Sequence, residues 1–230
     1  MNIADFFRRI RKRTIPNAAH VVRPEKKYHL AFIGNLSEIQ NLCKDFSGAD
    51  ALYWQSVSSG GYTVYDGALR LFSVCAEPES RNLMTWNHSE TWKDAYQDIL
   101  PKNIWCFAED VFGNQFCFTR DGVCRLDTET GKLERLAATF SEWKTLIDSD
   151  VDFHTGLPIA SAWHDAHNSD DPLTPDKVLR PVRPFVAGGE YVIANLFPVD
   201  AVEAMRFGGH FANRIKDLPD GTQIEFKFTE

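Results

Sequence analysis

The chain has 230 residues, 43% of them hydrophobic and 25% charged, which is the composition of an ordinary globular protein long enough to bury a sizeable core. No apolar run approaches the length needed to span a bilayer, and five cysteines in a chain this long do not make a disulfide framework. The net charge of −7 is unevenly placed: Arg8, Arg9, Arg11, Lys12, Arg13, Arg23, Lys26 and Lys27 face only Asp5 and Glu25 in residues 1–27, so the remainder is more acidic than the whole. An acidic body is a poor nucleic-acid binder, because duplex binding needs Lys and Arg to displace counterions from phosphate. It complements a basic protein, since opposite potentials steer encounter. The opening Met1-Asn-Ile-Ala-Asp-Phe-Phe-Arg8 lacks the order of a secretory signal, so the expectation is a cytoplasmic protein with reduced thiols.

In chain order, Ile3, Phe6, Phe7 and Ile10 share one face of a short basic amphipathic helix, which more readily docks on an acidic body than on a membrane. Pro16 and Pro24 bracket an extended connection, and residues 1–27 are read as this appendage to a domain over 28–230. Tyr28–Ile33 reads as a strand, and the Ser37-x-x-Gln40 capping box opens a short helix through Cys43. Asp50 caps a second helix that runs to Val57 and stops at Gly60-Gly61. Tyr62–Tyr65 and Ala68–Val74 form a hairpin across Asp66-Gly67. Ser89 caps a helix holding Trp92, Ala95, Tyr96 and Ile99.

Residues 104–137 carry the strongest pattern. Short apolar runs are separated by Phe112-Gly-Asn, Arg120-Asp-Gly and Thr128-Glu-Thr-Gly, the turn signals of a tight antiparallel meander. Ser141–Ile147 is helical after it, and Ile159–Ala166 is a helix in a proline-rich stretch. Glu190–Asn195 reads as a strand, Asp200–Ile215 as a helix weakened by Gly208-Gly209, and Thr222–Phe228 as a half-buried strand. These elements predict one α+β domain with a twisted, mainly antiparallel sheet partly wrapped by helices.

The chain holds no phosphate-cradling glycine loop, no serine-hydrolase elbow and no zincin motif. His154, His164 and His167 with Asp165, Asp170 and Asp171 offer ligand types suited to zinc or iron, but at no recognised spacing. A metal- or small-ligand-binding enzyme using residues 154–171 is therefore the alternative reading. Cys43, Cys75, Cys106, Cys117 and Cys124 read as packed thiols. Glu109 and Asp110, beside Phe112, are expected to form an exposed acidic contact surface. Trp86 and His88, in an expected loop, are the aromatic and polar contacts of an interface, and Trp92 belongs to the core.

Trp54-x5-Gly60-Gly61, Ala68-Leu-Arg-Leu-Phe72, Phe112-Gly-x-x-Phe116, Asp121-Gly-Val123 and Phe140-Ser-Glu-Trp143, in that order, resemble the SUKH superfamily over roughly residues 50–147. That group includes the Smi/Knr-type cell-wall regulators and bacterial toxin-immunity proteins. The resemblance implies an α+β protein-binding scaffold with no catalytic residues and no cofactor. Its partner would be a cognate toxin, and the acidic body fits a basic one such as a nuclease.

Overall fold

The computed structural model describes residues 36–58, 62–74, 81–167 and 173–224. The expected N-terminal helix, the Tyr28–Ile33 strand and the Gly60-Gly61 stop lie outside these residues. The chain opens with α1 (Leu36–Leu42) and α2 (Ala51–Ser58), where Asp50 Oδ1 accepts the Tyr53 amide at 3.1 Å, as its capping role predicts. β1 (Tyr62–Val64) and β2 (Leu69–Leu71) form the expected hairpin. α3 (Leu83–Asn87) follows, capped by the Asn82 carboxamide, which accepts the Met84 and Thr85 amides. β3 (Trp105–Asp110), β4 (Gln115–Thr119), β5 (Gly122–Leu126) and β6 (Leu133–Ala137) are the meander.

α4 (Phe140–Ser149), α5 (Val151–Thr155) and α6 (Leu157–His167) come next. The hairpin of β7 (Lys177–Pro181) and β8 (Leu196–Asp200) then leads into α7 (Ala201–Ile215). The six-stranded sheet runs β1-β2-β3-β4-β5-β6, every neighbouring pair antiparallel. The protein is thus α+β, with helices against an open sheet. Among the described residues no helix is long and apolar enough to cross a membrane.

The central strands are buried on both faces, and every residue of β3 and β4 is buried. On one face Phe107, Phe116 and Phe118 meet Tyr53 of α2 and Phe140 and Trp143 of α4, with ring centroids 4.5–5.4 Å apart in the closest pairs. On the other, Asn87 of α3 brackets Cys106, donating to its carbonyl at 2.7 Å and accepting its amide at 2.8 Å. Trp86 and Trp92 complete that layer. Close contact of several such rings adds roughly 0.5–1.5 kcal/mol per pair beyond the area they bury.

Four local expectations are corrected. The helix expected after Ser89 is only a 3-10 turn, Lys93–Tyr96, because Gln97 adopts φ of 36° and ends it. The Trp86 region, expected as loop, is helix α3. Glu190–Asn195 is not a strand; the extended run begins at Leu196, where residues can pair with β7. Thr222–Ile224 is not extended into a sheet, and the rest of that expected strand lies outside the described residues. The Gly208-Gly209 pair, a cost in helix propensity, sets how closely α7 packs. A Cβ at Gly208 would collide with the Thr128 carbonyl, and one at Gly209 would lie 2.7 Å from the Ala95 backbone, so the pair lets α7 approach the Lys93–Tyr96 turn.

Candidate interaction site

The acidic pair expected on the surface is inside the molecule. Glu109 is 0% exposed, and its Oε1 accepts Arg70 Nη1 at 3.1 Å and Arg81 Nε at 2.9 Å. Its Oε2 accepts Gln115 Nε2 at 3.3 Å, and Gln115 Oε1 in turn accepts the Trp86 indole N–H at 2.8 Å. Arg81 also lies over the Trp86 ring, 4.6 Å from its centroid. The reason is register. Glu109 pairs with Arg70 on one side and Gln115 on the other, facing the α3 layer and not water. A carboxylate there must be ion-paired, and two guanidiniums meet it.

Asp110 is buried too, and accepts the Phe112 and Asn114 amides and the Asn114 side chain, each at 2.9 Å. Burial outweighs these donors and raises its carboxyl to about 7. Glu109 and Asp110 are therefore structural, not an exposed contact. Trp86 is buried with Trp92, so of the four expected contact residues only His88 lies at the surface.

The histidines do not converge. His154 is buried on α5, His164 Nε2 lies 2.8 Å from the Asp66 carbonyl, and His167 stacks on Trp163 with centroids 3.7 Å apart. Among the described residues no group of three His, Cys, Asp or Glu side chains is placed to hold a metal ion; Asp170 and Asp171 lie outside them. Cys106, Cys117 and Cys124 lie opposite one another on β3, β4 and β5 as buried thiols, and burial pushes Cys117 up and Cys43 up to about 12.

A different surface stands out: the connection between β7 and β8 with Phe197 at the start of β8. Val182 is 62% exposed, Val186 49%, Val192 42% and Phe197 44%. These are four of the large apolar side chains left in water, and one segment of sixteen residues carries them all. Yet the loop is tightly held. Its ends close through the Val182 amide on the Asn195 carbonyl at 2.8 Å. Asn195 also accepts the Arg183 amide at 2.9 Å and donates to the Arg183 and Glu190 carbonyls. Phe185 and Tyr191 stack inside it, 3.8 Å apart and 9° from parallel, with Phe112 edge-on to both.

The anchor below the loop is Glu129, from the turn between β5 and β6. Its Oε1 accepts the Phe185 amide at 3.1 Å and its Oε2 the Val186 amide at 2.9 Å, which satisfies two N–H groups at the start of the Phe185–Ala187 3-10 turn. Arg180 Nη2 lies 3.8 Å from the same carboxylate, while Nη1 donates to Thr128 Oγ1 and, at 3.2 Å, to the Phe112 carbonyl. Burial raises the Glu129 carboxyl above its ordinary value, and Arg180 and the two amides oppose that. The result is a fixed platform with apolar side chains turned outward.

Sequence reasoning placed Glu129 in a turn and missed Arg180 and the loop. The available signal was Pro181-Val-Arg-Pro-Phe-Val-Ala-Gly-Gly189, three large apolar residues framed by turn formers, where a solvated loop would be polar.

No protein-family model and no curated protein matches the chain. Among solved structures it is similar to Atu4351 from Agrobacterium tumefaciens, with 12% identity and a TM-score of 0.49 over 80% of this chain and 84% of that one.

Proposed function

We propose that the protein is an immunity-type binding protein, which neutralises a cognate toxin by contact and performs no catalysis of its own. The observation that carries this reading is the anchored loop with Val182, Val186 and Val192 exposed, and Phe197 of β8 exposed next to it in the chain. Ordering a binding loop on association opposes affinity, and a loop already fixed by Glu129 and Asn195 avoids most of that cost. Burying the exposed part of each side chain against a partner contributes about 1 kcal/mol. The SUKH-like order of motifs supports an immunity role, and the acidic body suits a basic toxin such as a nuclease.

The test is capture of partners from the source organism by the intact protein, followed by expression of the captured partner alone and with this chain. The expected result is a partner that is toxic alone, is silenced by co-expression, and is neither captured nor silenced by Val182→Asp/Val186→Asp. Capture of no toxic partner, or full protection by that folded double variant, overturns the proposal.

A further inference from the structure

Cys106 of β3, Cys117 of β4 and Cys124 of β5 stand in register across three neighbouring strands, so their side chains share one face of the sheet. Phe107, Phe116 and Phe118 occupy the opposite face, against α2 and α4. Whether two opposed cysteines can be bridged depends on the kind of antiparallel pair they form. The Cys106 amide is donated to Asn87 Oδ1 at 2.8 Å and its carbonyl accepts Asn87 Nδ2 at 2.7 Å, so both are turned away from β4. Cys106 and Cys117 are therefore a non-hydrogen-bonded pair. The Cα atoms of such a pair lie about 4.5 Å apart, inside the span of about 4.4–6.8 Å that a disulfide tolerates.

The charge nearby suits thiol chemistry. Lys93 Nζ donates to the Ile104 carbonyl and to Asn87 Oδ1, each at 2.9 Å, which fixes the ammonium at the start of β3. Burial opposes ionisation of Cys106, but the Cys117 thiol and the Lys93 charge outweigh it and lower that thiol, while Cys117 is pushed up. One thiolate thus forms beside one thiol. Both residues are fully buried, and the way in is Cys124, which lines an open groove of about 960 Å³ together with Thr119 and Arg135. Burial raises the Cys124 thiol, with Thr119 and Arg135 opposing, so its oxidation is slow. Cys117 Sγ donates to the Cys124 carbonyl at 3.5 Å, so the buried pair meets the groove at that residue.

We propose that Cys106, Cys117 and Cys124 form an oxidation relay, in which hydrogen peroxide entering the groove oxidises Cys124 and the oxidation ends as a disulfide between Cys106 and Cys117. The Cys124 thiolate attacks the peroxide O–O bond and becomes a sulfenic acid, while the departing oxygen takes up the thiol's proton and leaves as water. The Cys117 sulfur then attacks the Cys124 sulfur, and its proton leaves with the sulfenic hydroxyl as a second water. The Cys106 thiolate attacks Cys117, and Cys124 departs as a thiolate that takes up the proton Cys106 released. Two thiols lose two electrons and two protons, and one hydrogen peroxide becomes two waters. The product ties β3 to β4 inside the six-stranded sheet and is independent of the apolar loop, which joins the other sheet.

The test treats the intact, reduced protein with millimolar hydrogen peroxide for increasing times, then blocks free thiols with iodoacetamide in denaturant. Cleavage after Lys, Arg and Glu leaves the three cysteines on separate peptides, residues 103–109, 110–120 and 121–125. The expected product is one disulfide between the first two peptides, formed within one chain and removed by dithiothreitol, with Cys124 alkylated. Cys124→Ser should form that bridge about tenfold more slowly. In Cys117→Ala, which stops the relay at its first step, dimedone should tag Cys124 as the sulfenic acid. The peptide map of the unaltered protein needs no variant to fold. Absence of a disulfide, a final bridge at any other pair or between chains, an unchanged rate in Cys124→Ser, or no dimedone adduct in Cys117→Ala overturns the proposal.

Discussion

Replacing Glu129 by Gln tests whether the apolar loop owes its rigidity to the carboxylate beneath it. The change keeps the volume of the side chain but leaves one acceptor oxygen where there were two, so either the Phe185 or the Val186 amide loses its partner. A hydrogen bond to a charged acceptor contributes about 1.5–3 kcal/mol. The new NH2 group also faces an N–H donor, and Arg180 loses its counter-charge while keeping the Phe112 carbonyl and Thr128 hydroxyl. Together these give a loss of about 2–4 kcal/mol, a large part of the roughly 5–15 kcal/mol that holds a domain together. The damage should be concentrated in the loop. Amide exchange at Phe185 and Val186 should accelerate about 30-fold, the equivalent of ~2 kcal/mol of lost local protection. Urea unfolding should show a lower midpoint with an unchanged slope, and affinity for the captured partner should fall about tenfold as the loop must be ordered on binding. Unchanged protection at both amides with an unchanged midpoint would refute the anchor.

Glu109→Gln should cost about 3–5 kcal/mol in urea unfolding, because Arg70 and Arg81 stay buried against a neutral group; a loss under 1 kcal/mol would mean the network is solvated. Gly208→Ala should lower the melting temperature despite a helix-propensity gain of about 1 kcal/mol, since its Cβ meets the Thr128 carbonyl; a stabilised variant would show that α7 can move away freely. Asp110 gives a pH signature. The folded state holds a proton up to about pH 7 that the unfolded chain releases near its ordinary value of 3.8, so stability from this group is full below pH 3.8 and lost as pH rises through 7. Asp110→Asn should flatten that decline in a series of unfolding midpoints between pH 4 and pH 8, and an identical slope in both proteins would place the titration elsewhere.

The elements that alternate and turn cleanly were readable from residues alone: the Asp66-Gly67 hairpin, the four-strand meander, the helix after Asp50 and the helix over Ser141–Ile147. What was not readable follows from one fact about layers. An antiparallel sheet commonly leaves one face to water, and on that assumption Glu109 at the end of an apolar run points outward. Here α3, Trp92 and α7 close the second face, so the polar side chains on it had to find partners from segments far along the chain, Arg70, Arg81 and Trp86. No local pattern announces such pairs, because their separations of 28–39 residues are set by the packing of layers and not by any period. The same holds for Glu129, whose partners at Phe185 and Val186 lie 56 and 57 residues on.

That asymmetry bears on function. The buried carboxylates are spent inside, on Arg70, Arg81 and Arg180, so they contribute nothing to an exposed acidic face. What they do instead is fix backbone: Glu109 joins β2, β3 and the start of α3, and Glu129 joins the meander to the β7–β8 loop. What these ties hold outward is the apolar loop between β7 and β8, the surface proposed above for the partner. A charge-reversal scan of surface acids should therefore alter association rate with only modest loss of affinity, whereas Val186→Asp should act chiefly on dissociation. Measured rates for both classes of variant against the captured partner separate the two effects. An affinity governed by surface acids, with dissociation from the Val186 variant unchanged, would move the interface away from the loop.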